Sequence, residues 1–215
     1  MTYEHYTISN TGLLIVDPYN DFMTEGGKLY EATKESREKF HTFENMRKII
    51  VFVRSVDVQI FIVPHHRAKP GDISGWRFPS PFQIASSKSQ TFAADSWGGS
   101  FNPDYGPQPG DVVVQEHFSQ SGFAGTDLDL QLKQRGITHL ILIGMIANSC
   151  IETTAKYAVE LGYHVTLVRD ATAAFSLDGM HTAHEVNGPM FAQAILTSEQ
   201  LLVELKTLEK RNGAV

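Results

Sequence analysis

Short apolar runs recur along the chain and are separated by longer amphipathic segments. The runs are continuous, rich in β-branched residues, and cover 13–16, 59–63, 111–114, 139–143 and 164–168, with a weaker sixth at 191–196. Strands that are apolar on both faces belong in a parallel sheet with helices on each side. The pattern therefore predicts a three-layer α/β domain with a central, mainly parallel sheet of about six strands and right-handed crossovers.

Helix signals lie between the runs. Helices are predicted over three stretches, 31–56, 126–135 and 149–161. The first has apolar residues at helical spacing and i,i+4 Glu–Lys pairs, and the other two end before Gly136 and Gly162. Thr197 followed by Gln200 resembles a capping box that opens a final helix.

One segment interrupts this alternation. Residues 64–110 hold seven of the nine prolines and both tryptophans. A structureless loop of that length in a compact domain is usually functional, and its aromatic residues argue against disorder. We expect a long loop that forms a lid or pocket wall. A contact between subunits and plain packing are the alternatives.

Composition limits the classes of function. The 215 residues carry a formal charge of −6 without a block of Lys or Arg, so the footprint of a nucleic-acid binder is missing. The longest apolar run, 140–147, is far shorter than the roughly 20 residues that cross a bilayer, so no membrane association is expected. The length fits one domain, 1–215. The N-terminus shows no export signal and Cys150 is the only cysteine, so we expect a cytoplasmic protein.

Reactive side chains follow the predicted strands. Acid, imidazole and thiol groups come after the first four runs: Asp17, His65, His66, Glu116, His117 and Cys150. Ligands of open α/β sheets bind beyond the carboxyl ends of the strands. The sequence therefore predicts one site at this edge of the sheet.

The lone thiol is the candidate nucleophile of that site. Cys150 lies at a predicted strand-to-helix turn, where the helix dipole would lower its pKa from about 8.5 and free amides could hold an oxyanion. Asp17 would be the general base near the thiol. The alternatives are an inert buried cysteine and an aspartate that only forms a turn or caps a helix.

The adjacent histidines His65 and His66 could bind a metal ion, with His117, His181 and His184 as further ligands. His65 and His66 are adjacent, so on an extended segment only one of them can face a given site. The sequence has no HExxH motif, no second cysteine and no acid at a recognisable ligand spacing. We therefore expect no metal and no other cofactor, and interpret His65 or His66 as a pocket residue that forms hydrogen bonds.

Three blocks of sequence carry a family resemblance. They are 13–17 with Asn20-Asp21-Phe22, then 121–128 (SGFAGTDL) and 144–155 (GMIANSCIETTA). In this order they resemble the isochorismatase-like cysteine hydrolase superfamily, which includes nicotinamidase, N-carbamoylsarcosine amidase and isochorismatase. The resemblance covers most of the chain. It implies a Rossmann-like α/β/α domain, an Asp–Lys–Cys triad and a homo-oligomer, a dimer or a tetramer.

The resemblance also assigns individual residues. It places the family's aspartate at Asp17 and its nucleophile at Cys150. It implies a cis peptide bond between Met145 and Ile146, and an oxyanion hole built from the backbone amides of Ile146 and Cys150.

The sequence departs from the family at the lysine. Four residues before Ser121, where the lysine is expected, stands His117 with Glu116 beside it. A protonated imidazole can stabilise a thiolate, and a neutral one can take the thiol proton. The predicted triad is therefore Asp17, His117 and Cys150. The stretch 63–67 also lacks the aspartate of the nicotinamidase metal site, which disfavours a nicotinamide substrate.

The leading functional prediction is hydrolysis of a small amide or similar C–N bond through a thioester on Cys150. The alternatives are a vinyl ether hydrolase of the isochorismatase type and a binding protein that lost turnover with the lysine. The predicted substrate-binding residues are Phe22, His65, Trp97, Phe123 and Asn148. Further candidates are Glu116, Glu152 and His184. Glu152 would orient a substrate amine or, alternatively, be a solvated or intersubunit charge.

Overall fold

The computed structural model describes the backbone of residues 6–212 and the side chains of residues 6–206. Its centre is a six-stranded, all-parallel sheet in the order β3-β2-β1-β4-β5-β6. The strands are β1 (Thr11–Val16), β2 (Gln59–Val63), β3 (Val112–Val113), β4 (His139–Met145), β5 (His164–Ala173) and β6 (Ala194–Leu196). The predicted mainly parallel sheet of about six strands is confirmed.

Helices connect these strands. They are α1 (Asn20–Met23), α2 (Lys34–Lys39), α3 (Thr42–Ser55), α4 (Pro81–Ser89), α5 (Leu128–Gln134), α6 (Glu152–Glu160), α7 (Leu177–His181) and α8 (Ser198–Asn212). Shorter 3₁₀ turns cover Glu31–Thr33 and Gly188–Met190, and π turns cover Ala147–Ile151 and Thr182–Asn187.

The sheet is covered on both faces, which is why its strands are apolar on both sides. Along β1, Leu13 and Ile15 join a buried cluster that contains residues of α3 and α8. Leu14 and Val16 point the other way and join a second cluster with residues of α5 and α6. The three layers follow directly from this alternation.

The strand order reverses between β1 and β4. From β1 the chain runs outward through β2 to β3, and β4, β5 and β6 lie on the opposite side. Val16 is level with both Val63 and Gly144, so the residues that follow β1, β2 and β4 emerge side by side. Ligands bind at this kind of reversal, beyond the carboxyl ends of the strands.

The predicted helix over 31–56 is wrong as a single element. The chain there forms a 3₁₀ turn, α2 and α3, and the break falls at His41, whose φ of 51° is left-handed. The other predicted helices begin later than expected, at Leu128 and at Glu152. A π turn over Ala147–Ile151 occupies the start of the stretch predicted as the third helix.

Residues 64–110 are more ordered than predicted. Instead of one structureless loop, the stretch contains α4, opened by a capping box in which Ser80 and Gln83 bond each other's backbone. Phe92 and Tyr105 are buried. The Phe92 amide donates to Asp21 Oδ2 at 2.7 Å, which ties the segment to α1.

The capping box predicted at the last helix is confirmed. The Thr197 amide donates to Gln200 Oε1 at 2.8 Å, and the Gln200 amide donates to Thr197 Oγ1 at 3.2 Å. Within residues 6–212, no helix has the length and apolar character needed to cross a membrane.

Candidate active site

Asp17 is held immediately after β1. Its amide donates to the Val63 carbonyl at 3.0 Å, and its backbone adopts a left-handed φ of 55°. Aspartate tolerates that region better than most residues, and such conformations cluster at functional sites. The side chain is fully buried, and Oδ2 has no hydrogen-bond partner among the described residues. Burying a carboxylate oxygen without a hydrogen-bond partner costs stability. This atom is therefore a candidate for a functional role, as a proton acceptor or a ligand.

His117 follows β3 and reaches across β2 to Asp17. Its amide donates to the Pro64 carbonyl at 2.9 Å, and its carbonyl accepts from the His66 amide at 2.8 Å. In the side chain, Nε2 lies 3.0 Å from Asp17 Oδ1 and Nδ1 lies 2.9 Å from the Ser119 carbonyl oxygen. The ring is completely buried.

The hydrogen bonds of His117 define its protonation. A carbonyl only accepts, so Nδ1 carries a proton and donates it to Ser119. With Asp17 as a carboxylate, which also only accepts, Nε2 carries a second proton and the ring is an imidazolium. Burial by itself lowers the pKa of His117, but the charge and hydrogen bond of Asp17 outweigh it, and the net pKa is raised.

Cys150 lies in the π turn between β4 and α6 and is only 3% exposed. One donor atom of each side chain, from Asp17, His117 and Cys150, lies within 4.8 Å of the other two. The peptide bond between Met145 and Ile146 is cis, as the family resemblance implied. The structure therefore brings the three predicted triad residues together.

A glycine allows β4 to run close to the end of β1. Gly144 has a φ of +116°, and a Cβ at this position would lie 2.2 Å from the Val16 carbonyl oxygen. No other residue fits so close to the β1 backbone at this φ.

The expected lowering of the Cys150 pKa is wrong in direction. Burial raises the pKa of the thiol well above its usual value, and the neighbouring Asp17 carboxylate raises it further. Hydrogen bonds from the Ser149 side chain and the Ile146 backbone act the other way but are weaker. Because desolvation disfavours any isolated charge, the resting thiol is protonated.

Four of the five predicted substrate-binding residues separate into two groups. Phe22 and Phe123 are core residues: Phe22 packs with Phe92 at a ring separation of 5.2 Å, and Phe123 stacks on Tyr157 at 5.8 Å. Trp97 (53% exposed) and Asn148 have accessible side chains.

His65, the fifth predicted pocket residue, contacts the triad. Its ring is buried and stands 5.0 Å from the ring of His117. Nδ1 lies 3.0 Å from the His66 carbonyl oxygen, whereas Nε2 has no partner in the described part of the chain. Burial lowers the pKa of His65 against the opposing pull of Asp17, so the ring is neutral near pH 7.

The further candidates have structural partners of their own. Glu116 accepts from the Arg67 amide at 2.9 Å and from Arg67 Nε at 2.5 Å. Glu152 is 8% exposed and accepts from Lys156 Nζ at 2.5 Å and Asn187 Nδ2 at 2.9 Å. The solvated alternative for Glu152 is therefore wrong.

His184 lies in the π turn Thr182–Asn187 and is buried. Its Nε2 lies 2.9 Å from Thr172 Oγ1, and burial lowers the pKa of the ring to about 4. Together with Arg169 and His181 it lines a cavity of about 340 Å³ formed by residues around α2 and α7.

Sequence reasoning missed two backbone contacts that hold the site. The Ser119 carbonyl fixes the His117 ring, and the His65 carbonyl accepts from the Tyr19 hydroxyl at 2.8 Å. Tyr19 lies two residues after Asp17 and Ser119 two residues after His117. That proximity was the only signal in the sequence, and it does not reveal a backbone acceptor.

Known proteins resemble the chain in sequence and in fold. Residues 11–199 match the model of the isochorismatase domain family. Ureidoacrylate amidohydrolase RutB of Agrobacterium fabrum is 27% identical over 194 residues, which are 85% of this chain and 84% of that protein. A cysteine hydrolase from Pseudomonas syringae has a TM-score of 0.77 at 20% identity, covering 97% of this chain and 100% of its own. N-carbamoylsarcosine amidase from Thermoplasma acidophilum has a TM-score of 0.64 at 26% identity, covering 88% of this chain and 97% of its own. The chain belongs to the isochorismatase family.

Proposed function

We propose that this protein is a cysteine hydrolase that cleaves the C–N bond of a small, non-peptide amide through a thioester on Cys150. The observation that carries the proposal is the buried cluster of one thiol, one ion-paired carboxylate with a free oxygen, and one imidazolium. Two named relatives are amidohydrolases, which supports the same reaction class.

Asp17 is the proton acceptor in this mechanism. Both nitrogens of His117 already hold protons in hydrogen bonds, so the ring has no free lone pair for the thiol proton. The Asp17 side chain lies beside the thiol, and its buried Oδ2 has no hydrogen-bond partner among the described residues. His117 instead acts as a fixed cation that stabilises the thiolate, the role that the resemblance gives to a lysine.

The reaction then proceeds in two halves. Asp17 takes the thiol proton, the sulfur bonds to the carbonyl carbon, and the backbone amides of Ile146 and Cys150 hold the oxyanion, each contributing roughly 3 kcal/mol. Collapse breaks the C–N bond, and the proton passes from Asp17 to the leaving nitrogen. Water next gives a proton to Asp17 and attacks the thioester, and that proton returns to the sulfur as the acid leaves.

A ureido group is the substrate class that we propose. The names of both amidohydrolase relatives specify a ureido or N-carbamoyl group. Such a group offers a small planar carbonyl and releases ammonia on cleavage. We propose that His65 Nε2, which is buried and has no partner among the described residues, forms a hydrogen bond with this group.

We propose a single domain over 1–215 that works in the cytoplasm as a homo-oligomer, a dimer or a tetramer. The exposed aromatic side chains of residues 64–110, Trp76 and Phe78 among them, supply apolar surface for a subunit contact. Light scattering of the purified protein tests the oligomer.

The test of the reaction uses a panel of ureido acids, simple amides and one vinyl ether, assayed for ammonia and acid release. We expect turnover of ureido compounds and an adduct on Cys150 detectable by mass spectrometry. Cys150→Ala should abolish both. Turnover that survives Cys150→Ala would overturn the thioester mechanism, and vinyl ether cleavage alone would replace the proposed reaction.

A further inference from the structure

We propose that Asp17, His117 and Cys150 also form a binding site for a thiophilic divalent cation, with Zn²⁺ as the best fit, and that occupancy blocks the thiol. The metal site rests on geometry alone. Its inhibitory effect rests on the proposed function.

The three side chains offer the donor types that Zn²⁺ prefers: one thiolate sulfur, one imidazole nitrogen and one carboxylate oxygen. Their donor atoms lie within 4.8 Å of one another, and His117 Nε2 is already 3.0 Å from Asp17 Oδ1. Donors around a tetrahedral zinc lie about 3.3–3.6 Å apart, given zinc–ligand bonds of about 2.0–2.3 Å. Shifts of the donor atoms by around an ångström would therefore bring all three within bonding distance of one zinc ion. The fourth coordination position is left for water.

The surroundings already orient the donors. Histidines that bind metal usually donate their other ring nitrogen to a carbonyl or carboxylate, which fixes the tautomer. His117 Nδ1 makes this bond to the Ser119 carbonyl at 2.9 Å, so Nε2 is the atom aimed at the cluster. Asp17 Oδ2 is fully buried and has no hydrogen-bond partner in the described structure, so it is a second, unpaired donor.

The exchange balances in charge. The resting cluster holds a carboxylate, an imidazolium and a neutral thiol, with a net charge of zero. Binding Zn²⁺ breaks the S–H bond and the Nε2–H bond, releases two protons to solvent, and leaves a carboxylate, a neutral imidazole, a thiolate and the dication, again with a net charge of zero. Burying the metal therefore adds no uncompensated charge, which is the usual obstacle to an ion in a dry site.

The experiment uses the whole protein, freed of metal with a chelator, and Co²⁺ as a spectroscopic probe. We expect one equivalent of Co²⁺ to produce thiolate-to-cobalt charge-transfer absorption in the near ultraviolet and Zn²⁺ to displace it. Stoichiometric Zn²⁺ should slow iodoacetamide alkylation of Cys150 at least tenfold, and EDTA should restore the rate.

Variants locate the ligands. Cys150→Ser should remove the charge-transfer band, and His117→Lys, which offers an ammonium without a lone pair, should weaken Co²⁺ binding at least tenfold. His181→Gln, which removes an exposed histidine on α7, is the matched control and should leave binding unchanged. A missing thiolate band, or zinc protection that persists in His117→Lys, would overturn the site. Because these signals need no substrate, they remain decisive even if the protein hydrolyses no amide.

Discussion

The role of His117 can be tested by removing its charge and keeping its shape. In His117→Gln, the side-chain amide can still donate to Asp17, but the cation beside the thiol is lost. One ring nitrogen of His117 lies no more than 4.8 Å from the Cys150 sulfur. At that distance and an effective dielectric constant of about 20, a unit charge stabilises the thiolate by about 3.5 kcal/mol, or roughly 2.5 pKa units.

Iodoacetamide alkylation measures this effect directly, because Cys150 is the only cysteine in the chain. At a fixed pH the rate for His117→Gln should fall by about 300-fold, the factor that corresponds to roughly 2.5 pKa units. His117→Lys should recover most of the rate. Near-ultraviolet circular dichroism and thermal unfolding show that each variant is folded. A folded His117→Gln protein that reacts within threefold of the original would refute the assignment of His117 as the stabilising cation.

Three further predictions follow from the same contacts. Asp17→Asn, which removes the proton acceptor, should lower kcat/KM by about 10²–10⁴-fold in the ammonia-release assay; activity within fivefold would exclude Asp17 as the base. The raised pKa of His117 stabilises the fold fully below the unfolded value of about 6.5, and this stability is lost as the pH rises through the folded pKa. Urea unfolding between pH 6 and 9 should therefore show a loss of stability that His117→Gln lacks, and parallel curves for the two proteins would contradict the ion pair. Gly144→Ala should lower the unfolding free energy by about 3 kcal/mol or more, because its Cβ would meet the Val16 carbonyl at 2.2 Å and a φ of +116° is strained for alanine; an unchanged Tm would show that the β1–β4 contact can relax.

The place of the site could be predicted from the sequence because parallel strands end at one edge. Asp17, His117 and Cys150 are far apart in the chain, but each follows a recognisable apolar run, and the sheet order then fixes them side by side. The helices were less predictable. A single left-handed residue, His41, divides the stretch 31–56, and no periodicity reveals a change of sign in φ.

The electrostatics of the site could not be predicted from local features. Its position at a helix start predicts an acidic thiol, but the Cys150 side chain is buried and lies beside the Asp17 carboxylate. Both features raise the pKa of the thiol. Likewise, spacing gave no hint that the Ser119 carbonyl occupies Nδ1 of His117. This backbone contact at Nδ1 and the Asp17 contact at Nε2 together make the imidazole a cation and not a base.

A raised thiol pKa and a working nucleophile are compatible once the cluster is treated as a unit. Loss of the thiol proton to solvent would leave a net negative charge in a dry site, and this is what burial opposes. Transfer of the same proton to Asp17 leaves the net charge of the cluster at zero. A carboxylate, an imidazolium and a thiol become a neutral acid, an imidazolium and a thiolate. The cation of His117 remains in place throughout, held by Ser119 on one side and Asp17 on the other. The site can therefore form its nucleophile internally when a substrate arrives and keep the thiol protonated at rest.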